Sequence, residues 1–332
     1  MEKILEIKNL KKYFPLGKSF FGNRKILKAV DNVSLDLYRG ETLGIIGESG
    51  CGKSTLGRCI VNLYNINSGS VNYFEKDLEL KLTTASESEK INYSKLVQII
   101  FQDPFASLNP RINIFETIAE PLIIHNFNKK DIERKVTEII SHVGLRYEHL
   151  RRYPHSFSGG QRQRIGIARA LIISPKVVVC DEAVSALDVS VQAQIINLLK
   201  ELQKKYHYSY IFISHDMSVI RHICDRIAVM YAGNIIEIGP KNDILYNPKH
   251  PYTEALLDAV PRISKKGTKS NRRILEGEPP DLAKENIGCL LYPRCRYSER
   301  RCQSISMELL KHDNTNHFSG CIRTKEINLS GL

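Results

Sequence analysis

The sequence predicts an α/β fold built on a mainly parallel sheet, and three observations carry that expectation. Apolar, β-branched runs alternate with amphipathic helical stretches from residue 176 onward. The apolar run TLGIIG at 42–47 opens directly into a glycine-rich turn and a helix-forming stretch. Residues 111–172 are mostly helical in pattern and read as an insert between strands. Composition agrees: 332 residues with 42% hydrophobic and 25% charged side chains suit one or two cores. These values exclude a disordered chain, a collagen-like repeat and a small disulfide-stapled scaffold.

Taken in order, ILEI at 4–7 and VSLDL at 33–37 alternate as half-buried strands do. Residues 15–28, with Pro, two Gly and several Lys, read as a loop insertion between them. KSTLGRCIVNLY then looks helical. LVQIIF at 96–101 is an apolar strand ending at Gln102 and a proline-marked loop. Inside the helical block, NKKDIERKVTEIISHVGL is amphipathic. KVVVCD at 176–181 and YSYIFIS at 208–214 are strands flanking a helix over 191–206, and another helix follows from about 217. RIAVMYAGNIIEIG at 226–239 reads as a hairpin closed near Gly233. Beyond Gly239-Pro240 the pattern breaks up, and the basic stretch 262–273 looks like a linker. The expected division is therefore a unit at 1–240 and an extension at 241–332. No internal repeat is visible.

The net charge of +12 is concentrated at the two ends, with an excess of five in residues 1–70 and again in 241–332. Such a balance fits nucleic acid, anionic lipid, an anionic ligand or simply a solvated surface. No run reaches the ~18–20 apolar residues of a membrane-spanning helix. The N-terminal stretch lacks an apolar signal core, so a cytosolic protein with reduced thiols is expected.

Gly47-Glu48-Ser49-Gly50-Cys51-Gly52-Lys53-Ser54, followed by Thr55, fits G-x-x-x-x-G-K-[ST] in the strand-to-helix context that the motif requires. Its glycines let successive N–H groups turn toward phosphate oxygens at a helix N-terminus. Lys53 is expected to reach the β- and γ-phosphates of a nucleotide, and Ser54 to help hold Mg²⁺. The strand 177–181 ends in Asp181-Glu182. Asp181 is the expected metal-side carboxylate and Glu182 the expected general base.

Ser158-Gly159-Gly160-Gln161, in SFSGGQRQRIGIARAL, settles the class: with these motifs the chain resembles the ATP-binding cassette family, whose signature peptide is LSGGQ. Phe157 stands where Leu is usual. The resemblance implies a P-loop NTPase (RecA-like) domain with an antiparallel β subdomain, a helical subdomain at about 111–172 and a small Cys-rich extension. It also implies that Ser158, Gly159, Gly160 and Gln161 act in trans on ATP held by a second subunit. By the same resemblance Gln102 is the Q-loop residue near Mg²⁺, and Ser185-Ala186-Leu187-Asp188 is the dimer-interface D-loop. His215 becomes the switch histidine, and Phe14 the aromatic against adenine, with Tyr13 as the fallback. Ala183 departs from the family, which usually has Pro there.

FQDPFASLNPR, RYPHSFSGGQRQRIGIARAL, DEAVSALDVSVQAQIINLL and His250-Pro251-Tyr252-Thr253 together resemble the ATPase subunits of oligopeptide/dipeptide importers, of the F type. Nickel, metallophore and other solute systems share that subfamily and remain alternatives. The resemblance implies a second, paralogous ATPase subunit (a homodimer is the alternative), two transmembrane permease subunits and an external solute-binding protein. It places the chain at the cytoplasmic face of the membrane. A soluble cassette ATPase acting on nucleic acid is the competing class, but the chain has one cassette and no recognisable nucleic-acid module.

Of eight cysteines, Cys289, Cys295, Cys302 and Cys321 cluster near the C-terminus. Their spacings, x5, x6 and x18, are wider than the opening pair of a structural zinc site. They leave an iron–sulfur cluster, zinc and free thiols open. The resemblance favours [4Fe–4S], with His312 and His317 as extra ligands should zinc be the metal.

Overall fold

The structure, a computed structural model, describes residues 2–18, 24–76, 78–259, 275–284, 287–305, 307–312 and 315–332. The expected linker at 262–273 lies outside the described residues. Along the chain, β1 (Lys3–Lys18), β2 (Arg24–Tyr38) and β3 (Thr42–Ile46) lead into α1 (Lys53–Ile60). Then come β4 (Ser68–Glu75), β5 (Leu78–Lys81), α2 (Glu87–Leu96) and β6 (Val97–Ile100). The helical block holds α3 (Ile114–Ile124), α4 (Lys129–His142) and α5 (Gly159–Leu171). It is followed by β7 (Val177–Asp181), α6 (Val189–Tyr206), β8 (Ser209–Ile213), α7 (Met217–Ile223), β9 (Arg226–Tyr231) and β10 (Asn234–Pro240). The extension adds α8 (Lys241–Tyr246), α9 (Pro251–Asp258), β11 (Leu310–His312) and β12 (His317–Ser319).

Two sheets result: a four-stranded antiparallel sheet ordered β2-β1-β4-β5, and an eight-stranded sheet ordered β11-β12-β10-β9-β3-β8-β7-β6. The pairs β9–β3, β3–β8, β8–β7 and β7–β6 are parallel, while β10 and the two strands beyond it run antiparallel. Every residue of β3, β7 and β8 is buried, as expected of strands covered on both faces. Their period of two feeds two cores. Val177, Val179, Ile211 and Ile213 join the core shared with α1 and the antiparallel sheet. Val178, Cys180, Tyr210 and Phe212 join the one shared with the helical block and α6.

One expectation is corrected. Residues 15–18 and 24–28 are not a loop: they prolong β1 and β2 as a hairpin, with Phe14 opposite Leu27 and Leu16 opposite Lys25. The extension expected from residue 241 packs onto the unit before it. β12 pairs with β10 through Glu237 and Ile238, so the extension completes the sheet of the cassette.

The helical block starts its helices with polar caps. Asn113 with Glu116 and Ser158 with Gln161 form reciprocal capping boxes, and Asn128 caps α4 through the Asp131 N–H. Ile118, Leu122, Val136, Ile140, Ile165 and Leu171 then meet in one core.

Candidate nucleotide site

The C-terminal end of β3 turns into α1 through Gly52, whose φ of 108° and closeness to the Ala29 carbonyl leave no room for a side chain. No side chain caps α1, so its first N–H groups stay available to a ligand. Lys53 is 4% exposed, and its Nζ donates to the carbonyls of Gly47 (2.8 Å) and Glu48 (2.9 Å). Ser54 Oγ donates to Asp181 Oδ1 at 2.7 Å.

A cleft opens over this turn. Ser49, Gly50, Gly52, Lys53, Ser54 and Thr55 form its floor, and Phe14, Leu27 and Ala29 of the β1–β2 hairpin its apolar wall. Gln102, Glu182 and His215 face it from the strand ends. Gly47, Glu48 and Cys51 do not line it: the Cys51 side chain is packed in the core, and Glu48 turns toward the extension. Tyr13 points elsewhere too, donating to Asp31 Oδ1 at 2.6 Å.

Glu182 joins these strand-end residues. Its Oε2 accepts from Gln102 Nε2 at 2.8 Å and lies 3.2 Å from His215 Nδ1. Asp181, beside it, is buried, and that burial pushes its carboxyl up from the ordinary value while the Ser54 hydroxyl partly offsets the shift. Ser54 and Asp181 thus present hard oxygen donors of the kind Mg²⁺ takes, with Gln102 on the same cleft. Ala183, at the departure from the family pattern, is buried and leaves both carboxylates in place.

The signature residues stand outside this cleft. Ser158 caps α5, Gly159 faces Leu187 of the D-loop, and a Cβ on Gly160 would come within 2.4 Å of Val191 Cγ1. Ser185 Oγ donates back to the Glu182 carbonyl at 3.0 Å, linking the 185–188 segment to Glu182. Asp188 precedes α6 without capping it by its side chain.

In the extension, Cys289, Cys295, Cys302 and Cys321 line one cavity with apolar neighbours such as Leu291 and Met307. The backbone N–H two residues on donates to the sulfur of Cys289, Cys295 and Cys321, from Leu291, Tyr297 and Arg323. Burial nevertheless pushes Cys289 and Cys295 up to about 11. Among the described residues no group of three or more His, Cys, Asp or Glu is drawn close enough to hold a metal ion as it stands. The histidines named for zinc are not at this cavity: His317 Nε2 sits 2.7 Å from Glu237 Oε1, and His312 Nε2 lies 2.9 Å from Ser319 Oγ.

Three extension residues that were not predicted as site residues reach the nucleotide-binding turn or its cleft. Leu282 lines the cleft beside the hairpin, its carbonyl accepting from the Lys28 N–H at 3.1 Å. Tyr252 and Arg294 both meet Glu48. Only Tyr252, inside the HPYT run, lay in a recognisable motif.

A phosphate-binding turn beside a carboxylate-ended strand, with a helical insert carrying a serine-capped Gly-Gly-Gln start, defines an ATP-binding cassette. The ABC transporter family model matches residues 30–185, and that of the oligopeptide/dipeptide transporter C-terminal region matches 236–302. The oligopeptide transport ATP-binding protein AppF of Bacillus subtilis is 47% identical over 96% of this chain and 97% of its own length. OppF of Salmonella typhimurium is 48% identical over 90% of each chain, and the dipeptide transport ATP-binding protein DppF of Escherichia coli is 44% identical over 93% and 91%. Among solved structures, a dimeric bacterial ABC transporter cassette superposes with a TM-score of 0.62 at 27% identity, over 72% of this chain and 99% of that one. The chain belongs to the ABC transporter ATP-binding proteins of the oligopeptide/dipeptide type. It is an ATPase of that class, using ATP with Mg²⁺.

Proposed function

We propose that this chain powers the import of oligopeptides or dipeptides, as one of two ATPase subunits docked at the cytoplasmic face of two permease subunits that an external binding protein supplies. The observation that carries this is the likeness to peptide-transport ATP-binding proteins across nearly the whole chain, extension included. Among the described residues no helix is long and apolar enough to cross a membrane. Phe105, 61% exposed beneath the Arg162 guanidinium at 3.8 Å, supports a docking surface beside the Q-loop.

In this reading the base rests between Phe14 and the facing wall. The α1 N-terminus and Lys53 bind the β- and γ-phosphates, after Lys53 leaves the two loop carbonyls for the phosphate oxygens. Ser54, Asp181 and Gln102 would hold Mg²⁺, which supplies charge neutralisation at the phosphates when bound. Glu182 takes the proton of the attacking water, held in place by Gln102 and His215. Ser158, Gly160 and their neighbours close the site of the opposite subunit, with the D-loop 185–188 at that interface. Glu182→Gln keeps the hydrogen-bonding shape and removes the base. In the assembled transporter it should cut turnover by roughly a hundredfold or more while ATP stays bound. Undiminished hydrolysis would refute the assignment.

The four extension cysteines are proposed as ligands of a [4Fe–4S] cluster. Their shared cavity and the three N–H···S contacts support this, because such contacts favour the thiolate that a metal requires. With the thiols pushed up by burial, binding has to release protons, so loading should weaken as pH falls. Anaerobic purification should yield about four iron per chain and broad absorption near 400 nm. Zinc in place of iron, or neither, would overturn it.

A further inference from the structure

The loop that receives the phosphates is anchored from outside the cassette. Glu48, the second residue of that loop, is tied at three points. Its N–H donates to Tyr252 Oη at 2.8 Å, and its carbonyl accepts from Lys53 Nζ at 2.9 Å. Its carboxylate takes a two-pronged pair from Arg294, with Nη1 at 3.0 Å from Oε2 and Nη2 at 3.1 Å from Oε1. Two of the three partners come from the extension. Arg294 closes the 3-10 turn Tyr292–Arg294, one residue before Cys295, and its side chain is 7% exposed. Nη1 also reaches Tyr231 Oη at 3.4 Å, while Nε is buried without a partner. The desolvated guanidinium therefore depends largely on Glu48.

A fork-to-fork pair fixes direction as well as charge. A carboxylate in a phosphate loop opposes an anionic ligand unless it is neutralised and turned away. Arg294 does both, since Glu48 does not line the cleft. We propose that Arg294 is a positioning residue for ATP: by clamping Glu48 it holds the phosphate loop in its binding conformation, so that the extension sets nucleotide affinity. This rests on the ATP site and not on the peptide cargo or the cysteine cavity.

The test is ATP binding to the full-length chain by calorimetry, with KM and kcat measured on the assembled transporter. Arg294→Gln should weaken ATP binding roughly tenfold and raise KM alike, with kcat at saturating ATP within about twofold. Arg294→Lys keeps the charge without the fork and should recover only part of the loss. In a Glu48→Gln background, Arg294→Gln should change affinity by less than about twofold, because the clamp has lost its target. A folded Arg294→Gln protein with unchanged ATP affinity overturns the proposal. So does an equal loss in the Glu48→Gln background, which would make Arg294 a purely structural residue. Should Arg294→Gln fail to fold, Arg294→Lys decides: a raised KM supports the clamp and an unchanged one overturns it. Absence of peptide uptake by the unmodified assembled transporter, with normal ATP affinity, would instead count against the transport reading and leave the clamp untouched.

Discussion

His250 is fully buried at the start of α9, its Nδ1 accepting from the Tyr252 N–H at 3.1 Å, and burial lowers its pKa to about 3. The unfolded chain binds that proton near pH 6.5 while the native state refuses it down to about 3. Its contribution is therefore full above about pH 6.5 and is lost as pH falls, by up to about 1.4 kcal/mol per unit. Urea unfolding at pH 7.5, 6 and 5 should show this slope. His250→Asn, whose side chain can still accept the Tyr252 N–H, should flatten it. Glu182 sits at φ 48°, a left-handed conformation that costs a non-glycine residue about 1–3 kcal/mol. Bonds from the Glu182 N–H to the Ile213 carbonyl and from the Ser185 N–H to the Glu182 carbonyl hold it there. Residues such as Lys53, Asp181 and Glu182 were legible because their chemistry demands fixed neighbours in sequence. Leu282 and Arg294 were not, because they reach the site only through tertiary packing.

At the level of elements, polar caps mark where each helix of the insert begins, and strand alternation matches the two cores. Ser158→Ala removes one half of the α5 capping box and should cost about 1 kcal/mol in thermal unfolding. If Ser158 also meets ATP in trans, the same variant should weaken nucleotide-driven dimerisation beyond that loss. Asn113→Ala removes an equivalent cap on α3 and is the control that leaves dimerisation alone. The pairing of 15–18 with 24–28 escaped the sequence reading because Pro15 and Gly17 imitate a loop, whereas pairing across β1 and β2 overrides that local preference. α2 was equally hidden. Only Tyr93 of its residues is buried, so it shows no apolar stripe.

Across the whole molecule, the extension is held to the cassette by a buried carboxylate. Glu237 of β10 accepts from the N–H groups of Lys249 (2.6 Å) and His250 (3.0 Å), from Thr253 Oγ1, and pairs with His317. Removing residues 241–332 would leave this carboxylate without those partners and bare the edge of β10. Such a protein should aggregate or melt well below the full chain. In the intact chain, Glu237→Ala strands the buried His317 and should cost about 3 kcal/mol by thermal denaturation. Composition and spacing hinted at two units, and nothing local revealed that the second completes the sheet of the first. The arrangement also imposes a schedule on synthesis. His317 follows Glu237 by 80 residues, so at ribosomal speed the β10 edge waits on the order of ten seconds for its last strands. A chain cut short by a late stop codon or by proteolysis would carry every ATP motif and still display an open strand edge, a mark by which quality control can recognise it.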